Sequence, residues 1–197
     1  MIWLFLKVKW FLYREEKQVR RRFPSFVPYD RALKRAYRFQ NPYRICPLYG
    51  ETPLPVFAQI AEKCRIQPKD VVFDIGCGRG RGAMFLSQIY GCKVIGIDRV
   101  PIFIHKANEI LPASFRCEDM LTVDYSKATV IYLYGTCLAD EQVRSLIARF
   151  EKLGPGTKIV TVSYPLSDYS SRFRVVEQFT GQFPWGDGEI FIQELIS

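Results

Sequence analysis

The sequence predicts an α/β protein, a doubly wound and mainly parallel sheet of seven strands that ends in an antiparallel hairpin and is preceded by a helical N-terminal arm. Three observations carry this. From residue 70 onward short apolar runs alternate with helix-period segments, the pattern of repeated βα units. The stretch "VVFDIGCGRGRGAMFL", 71–86, joins the first such strand to its helix through a glycine-rich turn. Residues 1–44 differ in character: they hold twelve Lys/Arg against Glu15, Glu16 and Asp30, an excess of +9 in a chain whose remaining residues sum to −1. At 197 residues and 48% hydrophobic content the chain can bury a full core in one unit, so the expected division is an arm, 1–44, and one α/β domain, 45–197.

The arm opens on "MIWLFLKVKWFLY", an apolar and aromatic run broken by Lys7 and Lys9. It is shorter than the roughly 20 residues that span a bilayer, and neither a basic leader nor a small-residue cleavage site accompanies it. Two uses remain for Ile2–Leu12. One is a helix buried on the domain or self-associated; the other is an interfacial membrane helix whose lysines snorkel, with Arg20–Arg22 drawing in anionic lipid. Helical projection gives no clean polar face, which favours burial or self-association. The charge excess points to an acidic partner for the arm (nucleic acid, an acidic protein face or an anionic membrane), the alternative being a solvated helical arm.

The α/β pattern then runs in order. Val71–Asp74 reads as a buried strand, Gly80–Tyr90 as a helix, Lys93–Asp98 as a strand and Pro101–Ile110 as a helix. Ser114–Cys117 and Thr129–Tyr134 follow as strands. In "DEQVRSLIARF" Val143, Leu146, Ile147 and Phe150 fall on one helical face, with Asp140 near the N-terminus. "LGPG" stops that helix and a strand begins at Thr157; Arg172–Thr180 and Glu189–Ile196 are the last two strands, joined by the turn-forming "WGDG".

Cysteine and histidine usage narrows the chemistry. The six cysteines, at 46, 64, 77, 92, 117 and 137, lie at least 13 residues apart and the only histidine is His105, so neither a zinc site nor a disulfide scaffold is expected and the metal assignment is none. Reduced thiols place the chain in the cytoplasm, with peripheral membrane association as the second location. Cys137 has no base near it in sequence and reads as a small packed residue.

The glycine turn carries the ligand. Gly76, Gly78 and Gly80 let a ligand approach the backbone at the carboxyl edge of the sheet, and Gly76, Gly78 and Arg81 nearly fill a dinucleotide fingerprint. Asp74 argues against a pyrophosphate there, because a carboxylate directly before the glycines would repel it. It suits a cationic or zwitterionic ligand instead. Asp98, ending the second strand, is placed to accept both hydroxyls of a ribose. Asp119, after the third, is placed to accept from an adenine amine, with Met120 as an apolar wall. An amino acid joined to an adenosine, as in S-adenosyl-L-methionine, satisfies all three carboxylates.

These residues resemble the class I methyltransferases, with "VVFDIGCGRG" as the first motif, "VIGID" as the second and "EDM" as the third. The resemblance implies a Rossmann-like fold with S-adenosyl-L-methionine as cofactor. More narrowly, "LYGETPLPVFAQIAEKCRIQPKDVVFDIGCGRGRGAMFLSQIYGCKVIGID" resembles the histone lysine methyltransferases that lack a SET domain, the disruptor-of-telomeric-silencing family, especially their shorter bacterial and algal relatives. Tyr49, Glu51 and Thr52 match that family's loop over the cofactor, Thr52-Pro53 is expected to cap the next helix, and "FRVVEQF" through "FPWGDGEIFIQEL" is similar to its C-terminal hairpin. The similarity runs over about residues 40–197 and implies a protein-lysine N-methyltransferase acting on a protein substrate. The loop after the fourth strand departs from the family: it reads "LYGTC", with Tyr134, Gly135 and Thr136 where an asparagine is usual. Tyr134, Thr136 and Trp185 are the expected catalytic positions, with Tyr164 beside them in an aromatic channel that strips water from the acceptor amine. A small-molecule or nucleic-acid methyltransferase on the same fold remains an alternative, as does a non-catalytic cofactor-binding protein tethered by its arm.

Overall fold

The computed structural model describes residues 2–46, 50–112 and 114–196, without the side chains of residues 2–5 and Tyr43. Two apolar runs with no polar interruption except Asp74 form its centre, β1 (Val71–Ile75) and its neighbour β4 (Val130–Leu133), both buried almost throughout. Continuous apolar sequence is what a parallel strand covered on both faces requires. The other strands are β2 (Lys93–Asp98), β3 (Phe115–Cys117), β5 (Lys158–Val162), β6 (Phe173–Phe183) and β7 (Gly186–Leu195). They form one seven-stranded sheet in the order β3-β2-β1-β4-β5-β7-β6, parallel from β3 to β5 and antiparallel at β7 and β6. The strand order reverses between β1 and β4, which opens a crevice beyond their carboxyl ends.

The helices are α1 (Ile2–Arg22), α2 (Val27–Ala36), α3 (Pro42–Ile45), α4 (Leu54–Cys64), α5 (Arg81–Tyr90), α6 (Pro101–Ile110) and α7 (Asp140–Phe150). Residues alternate across each strand, so Val72 joins the apolar cluster of α4, α5 and α6, while Phe73 and Ile75 join that of α7. The sheet is therefore covered on both faces.

Elements match the sequence expectation closely where an apolar run meets a sharp stop and less well elsewhere. Gly80 caps α5 at φ +74° instead of starting it, and Arg81 is the first helical residue. The final hairpin turns at Pro184–Trp185, not across "WGDG": pairing continues through Gly181 opposite Gly188 and Phe183 opposite Gly186, so both strands are longer than expected. Thr52 does not cap α4. Its hydroxyl is hydrogen-bonded to the Tyr132 hydroxyl, and the Leu54 N–H that begins α4 donates to Glu15 at 3.0 Å.

The arm divides in its middle. Val19, Phe23, Phe26, Leu33 and Tyr37 belong to the same buried cluster as α4 and α5, and the Phe23 and Phe26 rings meet Phe85 edge-on at 4.8 and 5.4 Å. The apolar run before them behaves differently: Leu6, Trp10 and Leu12 are exposed, which overturns the expectation that this run is buried on the domain. The cause is geometric, since full burial of the helix begins at Glu15, while before it Val8 and Phe11 are half-covered and Leu6, Trp10 and Leu12 stand in solvent.

Candidate functional site

The crevice at the reversal point is a narrow cleft whose walls come from four segments: Gly50–Thr52 and Phe57 above, the end of β1 with Gly76 and Cys77 below, Arg81 and Gly82 behind, and Tyr132 and Tyr134 of β4 and its following loop at the side. The Gly-rich turn is open where a ligand would lie. Gly76 holds φ +73°, and a Cβ built there would meet no atom within 4 Å, so any side chain would stand in the cleft itself. Gly82, by contrast, is required by packing, because a Cβ there would run into the Phe57 ring.

Two carboxylates organise the cleft and its adjoining turn. Asp98 is half-buried at the end of β2, its Oδ2 accepting from Gly78 N–H at 2.9 Å and its Oδ1 from Val100 N–H at 2.8 Å. It thereby holds the turn in shape, and each oxygen keeps a second lone pair for a diol. Asp74 is buried. Burial, and then the charge of Asp98, push its carboxyl up to about 7 against a single backbone hydrogen bond from Ala83. Burial and the same two acids hold the Cys77 thiol well above its ordinary range, so it stays a neutral thiol. A buried carboxyl with so few donors is a site prepared for a cation.

Above the turn, Glu51 takes a two-pronged contact from Arg79, at 2.9 and 2.7 Å, fastening the 50–52 segment to the glycine turn. Behind it Arg81 reaches Asp30 at 2.9 Å and Glu15 at 2.8 Å. At the open end, Trp185 Nε1 donates to the Tyr134 hydroxyl at 2.8 Å, and Phe183 stacks on Trp185 at 5.0 Å and tilts against Tyr134 at 5.7 Å. Residues 51 positions apart thus form one aromatic corner, with Tyr164 one step further back, its hydroxyl on the Gly135 carbonyl at 3.4 Å.

The structure therefore brings Glu51, Thr52, Asp74, Gly76 and Tyr134 to one cleft, with Gly78 and Asp98 in the adjoining turn and Trp185 against Tyr134. Thr136 is exposed and does not line the cleft, because the loop turns outward after Gly135. Asp119 is exposed and its Oδ1 accepts from Leu121 N–H at 2.8 Å; Met120 is half-buried and packs toward the α7 cluster. Tyr49 lies outside the described residues. Sequence reasoning passed over Tyr132 and Phe183, and met Arg81 only as a position of the dinucleotide fingerprint. The signal for Arg81 was a cation at the first position of a helix, where it opposes the helix dipole and needs acids to hold it.

Similarity to known proteins covers the segments that build the cleft. The profile described as "Methyltransferase domain" matches residues 72–154, and that of "Histone methylation protein DOT1" matches 27–103, starting within the arm and stopping before the C-terminal hairpin. A histone-lysine N-methyltransferase of Dictyostelium discoideum, H3 lysine-79 specific, is 26% identical over 161 residues, covering 71% of this chain and 8% of its own length. A protein-lysine N-methyltransferase of Saccharolobus islandicus is 24% identical over 132 residues, covering 63% and 81%. Phosphoethanolamine N-methyltransferase 1 of Zea mays is 30% identical over 117 residues, covering 54% and 23%. The chain thus spans a small part of the first and third of these relatives. Among solved structures, an RNA methyltransferase from Salinibacter ruber in complex with S-adenosyl-L-homocysteine superposes with TM-score 0.62 at 26% identity, covering 75% of this chain and 95% of that one.

Proposed function

The chain belongs to the class I S-adenosylmethionine-dependent methyltransferases, and from that premise we propose that it methylates the side-chain amine of a lysine in a protein substrate. The carrying observation is the aromatic corner of Tyr134, Phe183 and Trp185 beside the Asp74 end of the cleft. Similarity to a protein-lysine N-methyltransferase over most of that protein's length supports the same reading.

Each wall of the cleft has a part. Asp98 would take the ribose diol, Gly76 and Gly78 would pass close under the amino-acid portion, Asp74 would face its ammonium, and Asp119 and Met120 would border the adenine. Glu51 and Thr52 would cover the cofactor. When bound, S-adenosyl-L-methionine supplies a methyl group on a sulfonium, which leaves as a neutral thioether. The chain's own task is to present a neutral amine in line, where proximity gives most of the rate. Burial pushes the Tyr134 phenol up, so it stays neutral and cannot act as the base. The aromatic corner instead lowers the lysine's own pKa by desolvation, and the proton leaves to solvent before attack.

The walls also discriminate. A phosphorylated amine needs an uncommitted cation in the cleft, and Arg81 is already neutralised by Glu15 and Asp30 while Arg79 holds Glu51. A second reading, RNA as acceptor, is favoured by an open basin next to the glycine turn, lined by Lys34, Arg38, Arg44 and Arg79 with the exposed Phe39. Incubating the protein with tritiated cofactor and separated protein, RNA and small-amine fractions of a lysate decides between them. Label in protein, retained as methyl-lysine after hydrolysis, is the expected result; label confined to RNA or small amines overturns it, and no label anywhere leaves a cofactor-binding protein.

Two substitutions separate binding from transfer. Trp185→Ala should lower methyl transfer by roughly 10- to 100-fold while changing cofactor affinity less than about twofold, the pattern of a lost positioning wall. Asp98→Ala should weaken S-adenosyl-L-methionine by about 2–4 kcal/mol, the worth of two charge-assisted hydrogen bonds. Calorimetry giving an unchanged affinity would remove Asp98 from the ribose.

A further inference from the structure

We propose that the outward face of the N-terminal half of α1 docks on an anionic bilayer surface. α1 is a single helix of 21 residues, and its fully buried positions, Glu15 and Val19, lie in its second half, with Val8 and Phe11 half-buried on the same side. Glu15 and Val19, one turn apart, face inward and are buried, with Glu15 fixed to Arg81 and to the Leu54 N–H. On the opposite side, at helical spacing, stand Leu6, Trp10 and Tyr13, exposed at 54%, 60% and 57%, with the Trp10 and Tyr13 rings stacked at 5.7 Å.

This apolar stripe has a basic frame. At 100° per residue, Lys9 flanks it on one side and Arg14 on the other, and Lys17, Arg20 and Arg21 continue it toward the C-terminus. No acid shares the face: Glu15 points inward, and Glu16 lies at its margin, engaged by Arg20 and Lys34. A helix of a water-facing surface has the reverse order, with its apolar side toward the core.

Charge complementarity selects the occupant. A second copy of the chain would bring the same Lys/Arg frame against itself. A nucleic acid would engage the cations but leave Leu6, Trp10 and Tyr13 against phosphates. An anionic bilayer satisfies both sets, with the phosphates meeting Lys9, Arg14 and Lys17 and the Trp and Tyr rings at the boundary between headgroup and acyl chain, where such amphipathic rings settle. Among the described residues no helix is long and apolar enough to cross a membrane, so α1 would lie on the surface. Because Glu15 ties the same helix to Arg81, docking would hold the cleft at a fixed position relative to the bilayer.

The test is flotation of the full chain with vesicles of phosphatidylcholine alone or with about 30% phosphatidylglycerol. Binding to the anionic vesicles should be at least about tenfold tighter than to the neutral ones, from several cations acting near the surface. Leu6→Gln with Trp10→Gln should reduce it about tenfold or more through lost apolar insertion, and Lys9→Glu with Lys17→Glu should bring it to the neutral-vesicle level. All four side chains are exposed, so thermal melts and cofactor affinity should match the unchanged protein. Absence of vesicle binding, equal binding to both compositions, or binding indifferent to Leu6 and Trp10 overturns the proposal. So does a dimer in sedimentation velocity that these same substitutions dissociate without any effect on flotation.

Discussion

Replacing Arg81 with methionine should cost the protein about 3–5 kcal/mol, the usual penalty for removing one partner of a buried ion pair. The size follows from what is left behind. Arg81, Glu15 and Asp30 are all largely buried, and the guanidinium serves both carboxylates at once, at 2.8 and 2.9 Å. Without it Glu15 keeps the Leu54 N–H and Asp30 keeps Lys34 at 3.1 Å, but each carboxylate remains in the interior with less than its full set of donors. For a domain of this size the midpoint of thermal unfolding should fall by on the order of 10 °C. Adding Glu15→Gln should make the same Arg81 change cheaper, since one stranded charge is gone, and a double-mutant cycle reads that coupling. The loss should also depend on pH. Burial alone would raise the Asp30 carboxyl, but Arg81 and Lys34 outweigh it and hold the group below its ordinary value. Its stabilisation is therefore present above about pH 4 and disappears as the pH falls through the lowered folded value, so wild type and variant should converge in acid. A variant as stable as wild type at pH 7 would mean that the arm is not anchored through this triad.

That triad also explains why the sequence was legible in some places and not in others. β2 and α6 fall at their expected residues because each is a short apolar-rich segment bounded by a residue that cannot continue it: Asp98 and Pro101 leave little choice. The order of the motifs likewise put Asp74, Gly76, Glu51 and Thr52 around one cleft, since a parallel sheet lines up the carboxyl ends of its strands. Side-chain partners were harder. Thr52 precedes a proline and a helix, a capping pattern in sequence, yet its hydroxyl turns to Tyr132, 80 residues away. Glu15 and Asp30 count in the sequence as minor offsets to a basic arm. In the fold they are buried ligands of Arg81, 66 and 51 residues distant, and no local pattern reveals such a pairing. The hairpin failed for a different reason. "WGDG" has turn composition, but Gly186 at φ +141° and the facing of Gly181 and Gly188 let pairing run to a two-residue turn, a tertiary choice that composition does not carry. For the apolar run of α1 the sequence favours burial or self-association, and burial on the domain fails at Leu6, Trp10 and Leu12 because only one side of the helix, with Val8 and Phe11 half-buried, faces the body.

The affinity for S-adenosyl-L-methionine should rise with pH through neutrality, and Asp74 should be the reason. The carboxyl is buried, lifted to about 7 by desolvation and by Asp98, and therefore largely protonated at pH 6 in the cofactor-free protein. A ligand ammonium beside it favours the ionised form, so binding below pH 7 must expel a proton. Affinity should then climb up to about tenfold per pH unit below 7 and level off above it. Calorimetry at pH 6 in buffers of different ionisation enthalpy should register that proton, and Asp74→Asn should abolish it. The same group sets a stability trend of opposite sign. An acid whose folded value is raised from 3.8 to about 7 binds more protons folded than unfolded, so the cofactor-free protein loses stability as pH rises across that interval, by on the order of 4 kcal/mol in all. Asp74→Asn removes the buried charge and keeps an oxygen for the Ala83 N–H, so it should leave the protein little changed at pH 4 and markedly more stable than wild type at pH 8, while binding the cofactor less well. A stabilised fold with a weakened ligand is a combination that simple loss of packing cannot produce. Affinity flat from pH 5.5 to 8.5, or proton release surviving in Asp74→Asn, would place the cationic end of the cofactor elsewhere.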